Sequence, residues 1–369
     1  MQVIGIIAEY NPFHNGHLYQ INWIQKTFSD ALILLVLNGY FLERGEISTL
    51  SKEDKTKIAL QYGVDLVVEL PVIFGTQAAD VFAEQALFIL NQFHVTHLVF
   101  GSECNDPNLL IDCARKQLTD DFLKQKKEYL SRGFNYPTAV SKAISSPIQQ
   151  PNDLLGISYA KAILKYEYPI EICTILRTND YHESNDTGSI VSANTIRRRI
   201  KDGKSIETMV PKEVISKLQR IDEEKLWMLL RYRILTDHYL NNYLMVDEGI
   251  ESRLQKMALI ANDYQEFITL VKTKRFTYNR IRRMTIHILL GITKQENDQT
   301  TISYLHILGF NQKGREYLKS VKKDMTISLK PIVSSNLYQF EKRATYLYEI
   351  LTNSNVHSFE FSNRPIQKD

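Results

Sequence analysis

In its first 200 residues the chain alternates short apolar runs with longer amphipathic segments, and this alternation constrains the fold more than any other feature. The apolar runs are rich in Val, Ile and Leu, as strands buried on both faces are; they are Val3–Ala8, Ala31–Leu37, Leu66–Leu70, His97–Phe100 and Ile170–Leu176. Helical periodicity predicts helices between them, over Gly16–Lys26, Lys52–Tyr62, Ala78–Gln92, Asn108–Ser131 and Leu154–Tyr166. The alternation predicts an α/β fold with a doubly wound, Rossmann-like parallel sheet, whose ligand lies beyond the carboxyl ends of the strands.

Beyond about Asp202 the pattern changes, and no further strands are expected. Long amphipathic segments separated by short polar breaks predict a mostly α-helical second part: Pro211–Leu235, Glu248–Asn262, Tyr278–Leu290 and Leu337–Leu351. A chain of 369 residues is too long for one small core. We therefore predict two domains, an α/β domain over residues 1–205 and a helical domain over residues 206–369.

The charge is divided unequally between these two parts. Residues 195–369 contain 30 Lys+Arg and 20 Asp+Glu, whereas residues 1–194 contain 15 Lys+Arg and 22 Asp+Glu. A polyanion would bind the basic part, and a charge split between halves is typical of proteins that bind nucleic acid.

Composition and cysteine spacing exclude several other classes. No apolar run approaches the roughly 18 residues needed to span a bilayer, and the first residues lack the pattern of a signal peptide. We expect a soluble, cytoplasmic protein with no membrane partner. The cysteines Cys104, Cys113 and Cys173 have no C-x-x-C spacing, which argues against a disulfide framework or a zinc site, and we predict no set of metal ligands. The oligomeric state stays open.

The stretch EYNPFHNGH, from Glu9 to His17, follows the first predicted strand. In a doubly wound sheet this turn directs backbone N–H groups and a helix N-terminus at the ligand, and such a site favours phosphate. His14 and His17 are three residues apart at the helix start, so both rings can donate hydrogen bonds to one anion, and as cations they would offset charge on a leaving pyrophosphate. The alternative is that one histidine caps the helix and the other packs in the core. Neither a P-loop nor G-x-G-x-x-G is present.

The spacing H-x-G-H resembles that of the nucleotidylyltransferase and class I aminoacyl-tRNA synthetase superfamily, whose members attack the α-phosphate of a nucleoside triphosphate and release pyrophosphate. That superfamily has a second phosphate-binding element late in the domain, and SIVSANTIRRRI is similar to it. Ser192 and Thr195 would supply hydroxyl groups at a helix start, and Arg197 follows one turn later. The simpler alternative is an N-cap serine before a basic helix.

Four further stretches resemble the bacterial tRNA(Met) cytidine acetate ligases, and the resemblance covers nearly the whole chain: VVELPVIFGTQAADVFA (Val67–Ala83), FGSE (Phe100–Glu103), NDLLGISY (Asn152–Tyr159) and KRFTYNRIRRMTIHILLGI (Lys274–Ile292). Such enzymes activate acetate with ATP to acetyl-adenylate and transfer the acetyl group to N4 of the wobble cytidine of elongator tRNA(Met). The resemblance implies ATP as co-substrate, with Mg²⁺ expected to accompany it, and acetate and elongator tRNA(Met) as partners.

The resemblance also implies an ATP site, in which His14 and His17 are the catalytic residues. Gly101 would let the nucleoside approach the sheet, Asn152 would contact a base edge or ribose hydroxyl, and Arg177 would reach phosphate. The alternatives for these three residues are a strand-end turn, a helix cap and a surface salt bridge. The full predicted ATP site comprises Ile7, Ala8, Glu9, Tyr10, Asn11, Pro12, Phe13, His14, Asn15, Gly16, His17, Leu18, Tyr19, Gln20, Gly101, Asn152, Arg177, Ser192, Thr195 and Arg197.

Two positions depart from the expected patterns. Asn11 stands where the superfamily usually has aspartate before the loop proline, and NGYFLERGE (Asn38–Glu46) differs from the S-G-x-F-x-Q-R-G-E form of the acetate ligases. Neither departure removes a phosphate ligand. The second leaves the roles of Asn38 and Glu43 open, and the role of Glu9 is likewise open between holding the loop, meeting magnesium and capping backbone amides, of which we favour the last.

The segment KTKRFTYNRIRR, Lys272–Arg283, combines cations with aromatic rings, as proteins that bind single-stranded RNA loops do. The predicted tRNA-binding residues are Lys274, Arg275, Tyr278, Arg280, Arg282 and Arg283. The alternative is a solvated helix face with Phe276 and Tyr278 in the core. Two other functions also stay open: a small-molecule nucleotidylyltransferase, which leaves the basic part unexplained, and a non-enzymatic RNA-binding protein, which leaves both phosphate elements unexplained.

Overall fold

The computed structural model describes residues 1–144, 148, 150–177, 188–321, 326–361 and 364–368. Its strands are β1 (Val3–Ala8), β2 (Leu32–Asn38), β3 (Leu66–Leu70), β4 (His97–Ser102), β5 (Glu171–Leu176), β6 (Leu305–Asn311), β7 (Ile327–Ser328) and β8 (Ile366–Lys368). The helices of the first half are α1 (Asn15–Thr27), α2 (Lys52–Gln61), α3 (Val72–Gly75), α4 (Ala79–Gln92), α5 (Pro107–Gln117), α6 (Asp120–Ser131), α7 (Tyr136–Ile144), α8 (Pro151–Tyr166) and α9 (Ala193–Lys201). Those of the second half are α10 (Lys212–Ile215), α11 (Glu223–Thr236), α12 (Ile250–Ile260), α13 (Tyr264–Val271), α14 (Tyr278–Leu290), α15 (Lys294–Asp298), α16 (Gln312–Val321), α17 (Asn336–Thr352) and α18 (His357–Phe361). Among the described helices, none is both long and apolar enough to cross a membrane.

The sheet has the order β5-β4-β1-β2-β3-β6, and both β7 and β8 pair with β6 on its far side. Strands β1 to β5 run parallel to one another, which confirms the predicted doubly wound α/β fold. The chain moves outward from β1 through β2 to β3 and then returns to place β4 on the other side of β1. The order therefore reverses between β1 and β4, and in sheets of this kind the ligand binds in the crevice beyond the carboxyl ends of the two strands at the reversal.

The central strands are buried on both faces. In β2, Leu34 packs with helices α4 and α8 on one side of the sheet, whereas Leu35 packs with α1 and α2 on the other, and both side chains are fully buried. This explains why the central strands are continuous apolar runs and do not alternate between polar and apolar residues.

The expectation that strands end after about residue 202 is wrong. Strand β6 pairs antiparallel with β3, with Leu66 opposite Phe310, and so extends the sheet with residues from the second half. The second half is nevertheless mostly helical, as predicted. Two predicted helices are each split: Asn108–Ser131 into α5 and α6, where Thr119 caps α6, and Pro211–Leu235 into α10 and α11, where Asp222 caps α11. The boundary at residue 205 stays a prediction.

A buried ionic cluster joins the two halves. Lys52 Nζ donates hydrogen bonds to carboxylates of Glu69, Glu341 and Glu360, at 2.9 Å for each of the last two. His306 Nδ1 lies 2.7 Å from Glu69 Oε2. These residues come from α2, β3, β6, α17 and α18, and Lys52 is fully buried. The cluster fixes the C-terminal helices against the edge of the sheet.

Candidate active site

The loop between β1 and α1 places both histidines at the N-terminus of α1. His14 is the N-cap residue: its Nδ1 accepts a hydrogen bond from the Gly16 N–H (3.0 Å). His17 Nδ1 in turn accepts from the His14 N–H (3.2 Å), which completes a reciprocal capping box. The two rings stack with centroids 3.8 Å apart. Both histidines thus cap the helix, which goes beyond the alternative of one capping residue and one core residue.

Capping also determines the protonation of the two rings. Because each Nδ1 accepts a backbone N–H, each neutral ring carries its proton on Nε2. Burial lowers the pKa of His14 to about 3, and the positive charges of Arg177 and Arg197 contribute to this shift. Burial and the neighbouring His14 likewise hold the pKa of His17 well below its usual value. In the free protein both rings are therefore neutral near pH 7, and each has one Nε2–H group that can donate to an anion.

Asn15 and Gly16, the two residues between the histidines, each have a structural role. A Cβ atom at Gly16 would lie 2.8 Å from His14 Cε1, so a larger residue would displace the capping ring. Asn15 Nδ2 donates to the carbonyl oxygens of Ser189 and Thr208, at 2.8 Å each. These bonds tie the first loop to the segments on either side of α9.

The remaining loop residues hold neighbouring segments in place. Glu9 Oε1 accepts the Glu43 N–H (2.7 Å) and the Asn38 side-chain amide (3.1 Å), so its observed role is to cap a backbone amide. Asn11 Oδ1 accepts the Thr49 N–H (2.9 Å). The other predicted ATP-site residues of this stretch differ in exposure. The buried ones are Tyr10, Pro12 and Phe13, the half-buried ones are Ile7, Ala8, Leu18 and Gln20, and the exposed one is Tyr19.

The predicted second phosphate element, Ser192–Arg197, lies beside the first loop. Ser192 is the N-cap of α9, and its Oγ accepts the Thr195 N–H (3.1 Å). Arg197 Nη1 donates to the Asn11 carbonyl oxygen (2.8 Å), and Arg197 Nη2 lies 2.9 Å from Glu46 Oε2. The structure therefore brings together the two elements that the sequence separates by about 180 residues.

Gly101, Asn152 and Arg177 gather around Glu103 on the β4 side of the crevice. Asn152, the second residue of α8, donates from Nδ2 to Glu103 Oε1 (2.5 Å), and Arg177 Nε lies 3.5 Å from the same oxygen. A Cβ atom at Gly101 would lie 3.2 Å from Arg177 Cγ, so the glycine leaves room for the arginine stem. Arg177 is close enough to His14 to lower its pKa, which connects this group to the first loop.

Sequence reasoning missed three residues that organise the site. Glu103 and Glu46 lie inside the quoted stretches FGSE and NGYFLERGE, so the signal was present, but nothing local indicated which arginines they would meet. Lys55 had no signal beyond its position on a helix. Its Nζ donates to the carbonyl oxygens of Asn38 (3.1 Å) and Gly39 (2.7 Å), and burial lowers the pKa of Lys55 to about 7.

The six predicted tRNA-binding residues are not equally accessible. Lys274, Arg275 and Tyr278 are exposed, and Arg280 is half-buried with its guanidinium 4.3 Å from the ring centroid of Phe276, which is itself buried. Arg282 is half-buried like Arg280, whereas Arg283 is buried. Arg282 Nη1 lies 3.7 Å from Glu46 Oε1, and Arg283, only 9% exposed, pairs with Glu43 at 2.9 Å. The accessible cations of this segment are therefore at its N-terminal end.

Helix α14 packs directly on the loop after β2. Gly45 has a φ of +70°, and a Cβ atom there would lie 2.4 Å from the Arg282 carbonyl carbon. No larger side chain fits at this contact without moving α14. The same loop binds Glu9 through Glu43 and Arg197 through Glu46, so it connects the basic segment to the phosphate elements.

Comparison with known proteins finds similar proteins that match nearly the whole chain. A family model described as HIGH Nucleotidyl Transferase matches residues 1–363. The tRNA(Met) cytidine acetate ligase of a Geobacillus species is 35% identical, with 99% of this chain and 100% of that protein covered, and that of Oceanobacillus iheyensis is 37% identical, with 94% of each covered. The crystal structure of Thermotoga maritima TmcAL bound with alpha-thio ATP superposes with a TM-score of 0.85 at 29% identity and covers 100% of this chain and 99% of that one. The chain therefore belongs to the HIGH nucleotidyl transferase family and, within it, to the tRNA(Met) cytidine acetate ligases.

Proposed function

We propose that this protein is an ATP-dependent acetate ligase that acetylates N4 of the wobble cytidine of elongator tRNA(Met). The observation that carries the proposal is the junction of the two phosphate elements at the β1–β4 crevice. There, two neutral imidazoles with Nε2–H donors lie beside the N-terminus of α9. This junction occurs in a chain that matches the acetate ligases along its whole length.

ATP fits this crevice by the chemistry of its lining. His14 and His17 offer N–H donors, α9 offers backbone N–H groups and hydroxyls at its N-terminus, and Arg177 and Arg197 supply positive charge beside His14. Neutral donors hold phosphate oxygens while adding no cationic charge in the free protein. We assign the triphosphate to this lining and the nucleoside to the side of the crevice formed by Gly101 and Asn152.

The first proposed step needs alignment more than acid–base catalysis. Acetate is already ionised at neutral pH, and its oxygen attacks the α-phosphorus of ATP. A new O–P bond forms, the bond from the α-phosphorus to the bridging oxygen breaks, and pyrophosphate leaves with its charge stabilised by the N–H donors. In the second step the cytidine N4 attacks the acetyl carbonyl carbon, AMP leaves, and N4 loses one proton. The products are N4-acetylcytidine and AMP.

We expect Mg²⁺ to enter with ATP as part of that substrate and to neutralise its phosphate charge. The carboxylates around the crevice do not fit a metal site of the protein itself, because Glu9, Glu46 and Glu103 are each engaged by backbone amides, side-chain amides or arginines. The buried group of Glu69, Glu341 and Glu360 contains Lys52 Nζ where a cation would sit. We therefore assign no protein ligand to Mg²⁺. A tRNA substrate also places the proposed reaction in the cytoplasm.

ATP–pyrophosphate exchange tests the first step and separates the candidate functions. We expect exchange that depends on acetate and that occurs without tRNA. Exchange that needs no carboxylate, or needs a phosphorylated metabolite, would favour a small-molecule nucleotidylyltransferase. No exchange at all, together with tRNA binding, would favour a non-enzymatic RNA-binding protein.

Transfer of labelled acetate to tRNA tests the second step. We expect label on an elongator tRNA(Met) transcript and none on the same transcript with uridine at the wobble position, because uridine has no exocyclic amine. Label that persists on the uridine transcript would show that N4 of the wobble base is not the acceptor.

A further inference from the structure

Helices α6 and α7 form a hairpin, residues 120–144, that is basic although it belongs to the acidic half of the chain. Residues 1–194 contain 15 Lys+Arg and 22 Asp+Glu, but the hairpin contains five Lys+Arg and three Asp+Glu. Its cations are Lys124, Lys126, Lys127, Arg132 and Lys142, of which Lys126 is half-buried and the other four are exposed. The hairpin is thus a local exception to the charge of its half.

Aromatic rings lie beside several of these cations. Lys142 Nζ is 5.2 Å from the ring centroid of Phe134, Lys126 Nζ is 5.5 Å from that of Tyr136, and the Arg132 guanidinium is 5.9 Å from that of Tyr129. Cation–π contacts of this kind restrain the charged groups at the surface. Cations for phosphates beside rings for bases are the combination that single-stranded nucleic acids bind.

The hairpin touches the basic segment of the second half. Asn135, between α6 and α7, donates from Nδ2 to the Lys274 carbonyl oxygen (3.0 Å). Lys272, Lys274 and Arg275 are exposed there. The two segments together therefore present eight cations, against the three carboxylates of the hairpin and Glu248, which pairs with Arg275 at 2.5 Å. Folding thus joins two basic segments that are about 130 residues apart in sequence.

This joined surface borders the proposed ATP site. The Tyr136 hydroxyl donates to Asp80 Oδ2 (2.7 Å), which anchors the hairpin to the first turn of α4, after the carboxyl end of β3. On the other side, α7 ends at Ile144 and α8 begins at Pro151, directly before Asn152. The first turn of α4 and the start of α8 both lie at the carboxyl ends of the strands, where the crevice is.

We propose that the hairpin 120–144 and the segment Lys272–Arg275 form one composite basic surface that binds the phosphate backbone of the RNA substrate next to the base that is acetylated. The inference rests on the proposed function and extends it, because it gives the ATP-binding half a direct RNA contact. The sequence alone assigned RNA contact to the second half only.

Charge reversal on the hairpin tests this surface. Lys124 and Lys127 are exposed, so Lys124→Glu combined with Lys127→Glu changes the charge of the surface while leaving the packed rings in place. We expect the KM for an elongator tRNA(Met) transcript to rise about tenfold or more at low salt. The plot of the logarithm of the tRNA association constant against the logarithm of salt concentration should become less steep, with the size of its slope reduced by about 2. Acetate-dependent ATP–pyrophosphate exchange, measured without tRNA, should be unchanged.

The matched control carries the same charge change at the opposite edge of the sheet. Lys26, in the last turn of α1, and Lys319, on α16, are both exposed. Lys26→Glu combined with Lys319→Glu should keep the wild-type KM for tRNA and its salt dependence. If the hairpin variant also keeps both, or if both variants lose the same affinity, the composite surface is refuted.

Exchange keeps the two proposals distinguishable. If the hairpin variant loses exchange as well as tRNA affinity, the hairpin supports the ATP site and the RNA assignment is wrong. If the wild-type protein shows no acetate-dependent exchange, the proposed function fails, whatever the variants do. The composite surface is supported only if the hairpin variant keeps the wild-type rate of ATP–pyrophosphate exchange while its KM for tRNA rises and becomes less dependent on salt.

Discussion

At the scale of single residues, His14 and His17 each use their two ring nitrogens for different tasks. The Nδ1 atoms complete the N-terminus of α1, and this leaves the Nε2–H groups for a ligand. Replacing His14 by alanine would therefore remove a helix cap and the proposed phosphate donor together. A useful substitution must separate these two effects.

The variant His14→Asn achieves this separation, because asparagine is among the strongest N-cap residues. We expect its free energy of unfolding to stay within about 0.5 kcal/mol of wild type, whereas His14→Ala should lose about 1 kcal/mol. Acetate-dependent exchange should fall about 10²- to 10³-fold in both variants, since each lacks the Nε2–H donor. Urea unfolding and exchange assays measure the two effects, and near-wild-type exchange in His14→Asn would exclude the donor role.

The capping geometry also predicts the titration of the two rings. Burial lowers both pKa values, to about 3 for His14, so neither ring should gain a proton between pH 8 and pH 5.5 in the free protein. Nitrogen-15 NMR of histidine-labelled protein should show both rings as Nε2–H tautomers across this range. A midpoint near pH 6.5 for either ring would contradict the assignment.

At the scale of elements, the contact between α14 and the loop after β2 includes one partly buried ion pair, between Arg283 and Glu43. Burial raises the pKa of Glu43, and the Arg283 guanidinium 2.9 Å away opposes that shift. Arg283→Met should therefore lower the free energy of unfolding by about 2 kcal/mol, because it leaves a partly buried carboxyl group without its partner. Adding Glu43→Gln should recover most of the loss. Urea unfolding of both single variants and the double variant measures this coupling, and additive losses would exclude it.

Elements with strong local signals were predicted at their true boundaries. Helix α14 begins and ends as expected, since Thr277 caps its start and Gly291 its end. Strand β6 was missed for a different reason. Its seven residues, LHILGFN, include His306 and Asn311, and its partner β3 lies more than 230 residues earlier, so local periodicity carries no information about that pairing.

The same limit applies to the candidate site. The histidine loop and the Ser192–Arg197 element were predictable, because each carries a compact pattern of its own. The ion pair between Arg197 and Glu46 joins residues 151 positions apart, and Glu46 has no local feature that selects this arginine. Sequence patterns thus identified the groups that we propose contact ATP but not the carboxylates Glu46 and Glu103 that pair with Arg197 and Arg177.

At the scale of the whole molecule, the Lys52 cluster makes stability depend on pH. Burial raises the pKa of Glu341 to about 8, so the folded state binds a proton that the unfolded state loses near pH 4.5. The contribution of this group to the free energy of unfolding should therefore fall as pH rises from 5 to 8, by at most about 1.4 kcal/mol per pH unit, whereas His14 and His17, which stay neutral in the folded state, contribute in the opposite direction below about pH 6.5. The pKa of Glu69 is lowered to about 2, so its opposite effect is confined to pH below about 4.5.

The variant Glu341→Gln isolates this contribution. Glutamine keeps a carbonyl oxygen for the Val72 N–H, which donates to Glu341 Oε1 at 2.6 Å, and it does not titrate. We expect the free energy of unfolding of wild type, taken relative to that of the variant, to fall as pH rises from 5 to 8, measured by urea unfolding at several pH values. The same pH dependence in both proteins would show that Glu341 does not bind the proton.

The pairing of β6 with β3 also has a consequence for synthesis on the ribosome. Strand β3 ends at Leu70 and β6 starts at Leu305. At roughly 5 to 20 residues per second, translation needs about 10 to 50 s to cover that interval. During this time one edge of β3 has no strand partner in the nascent chain, and open edges of this kind are where chains associate with one another. The last third of the gene product thus completes a sheet begun near its start, and the growing polypeptide must be kept from aggregating until that strand emerges.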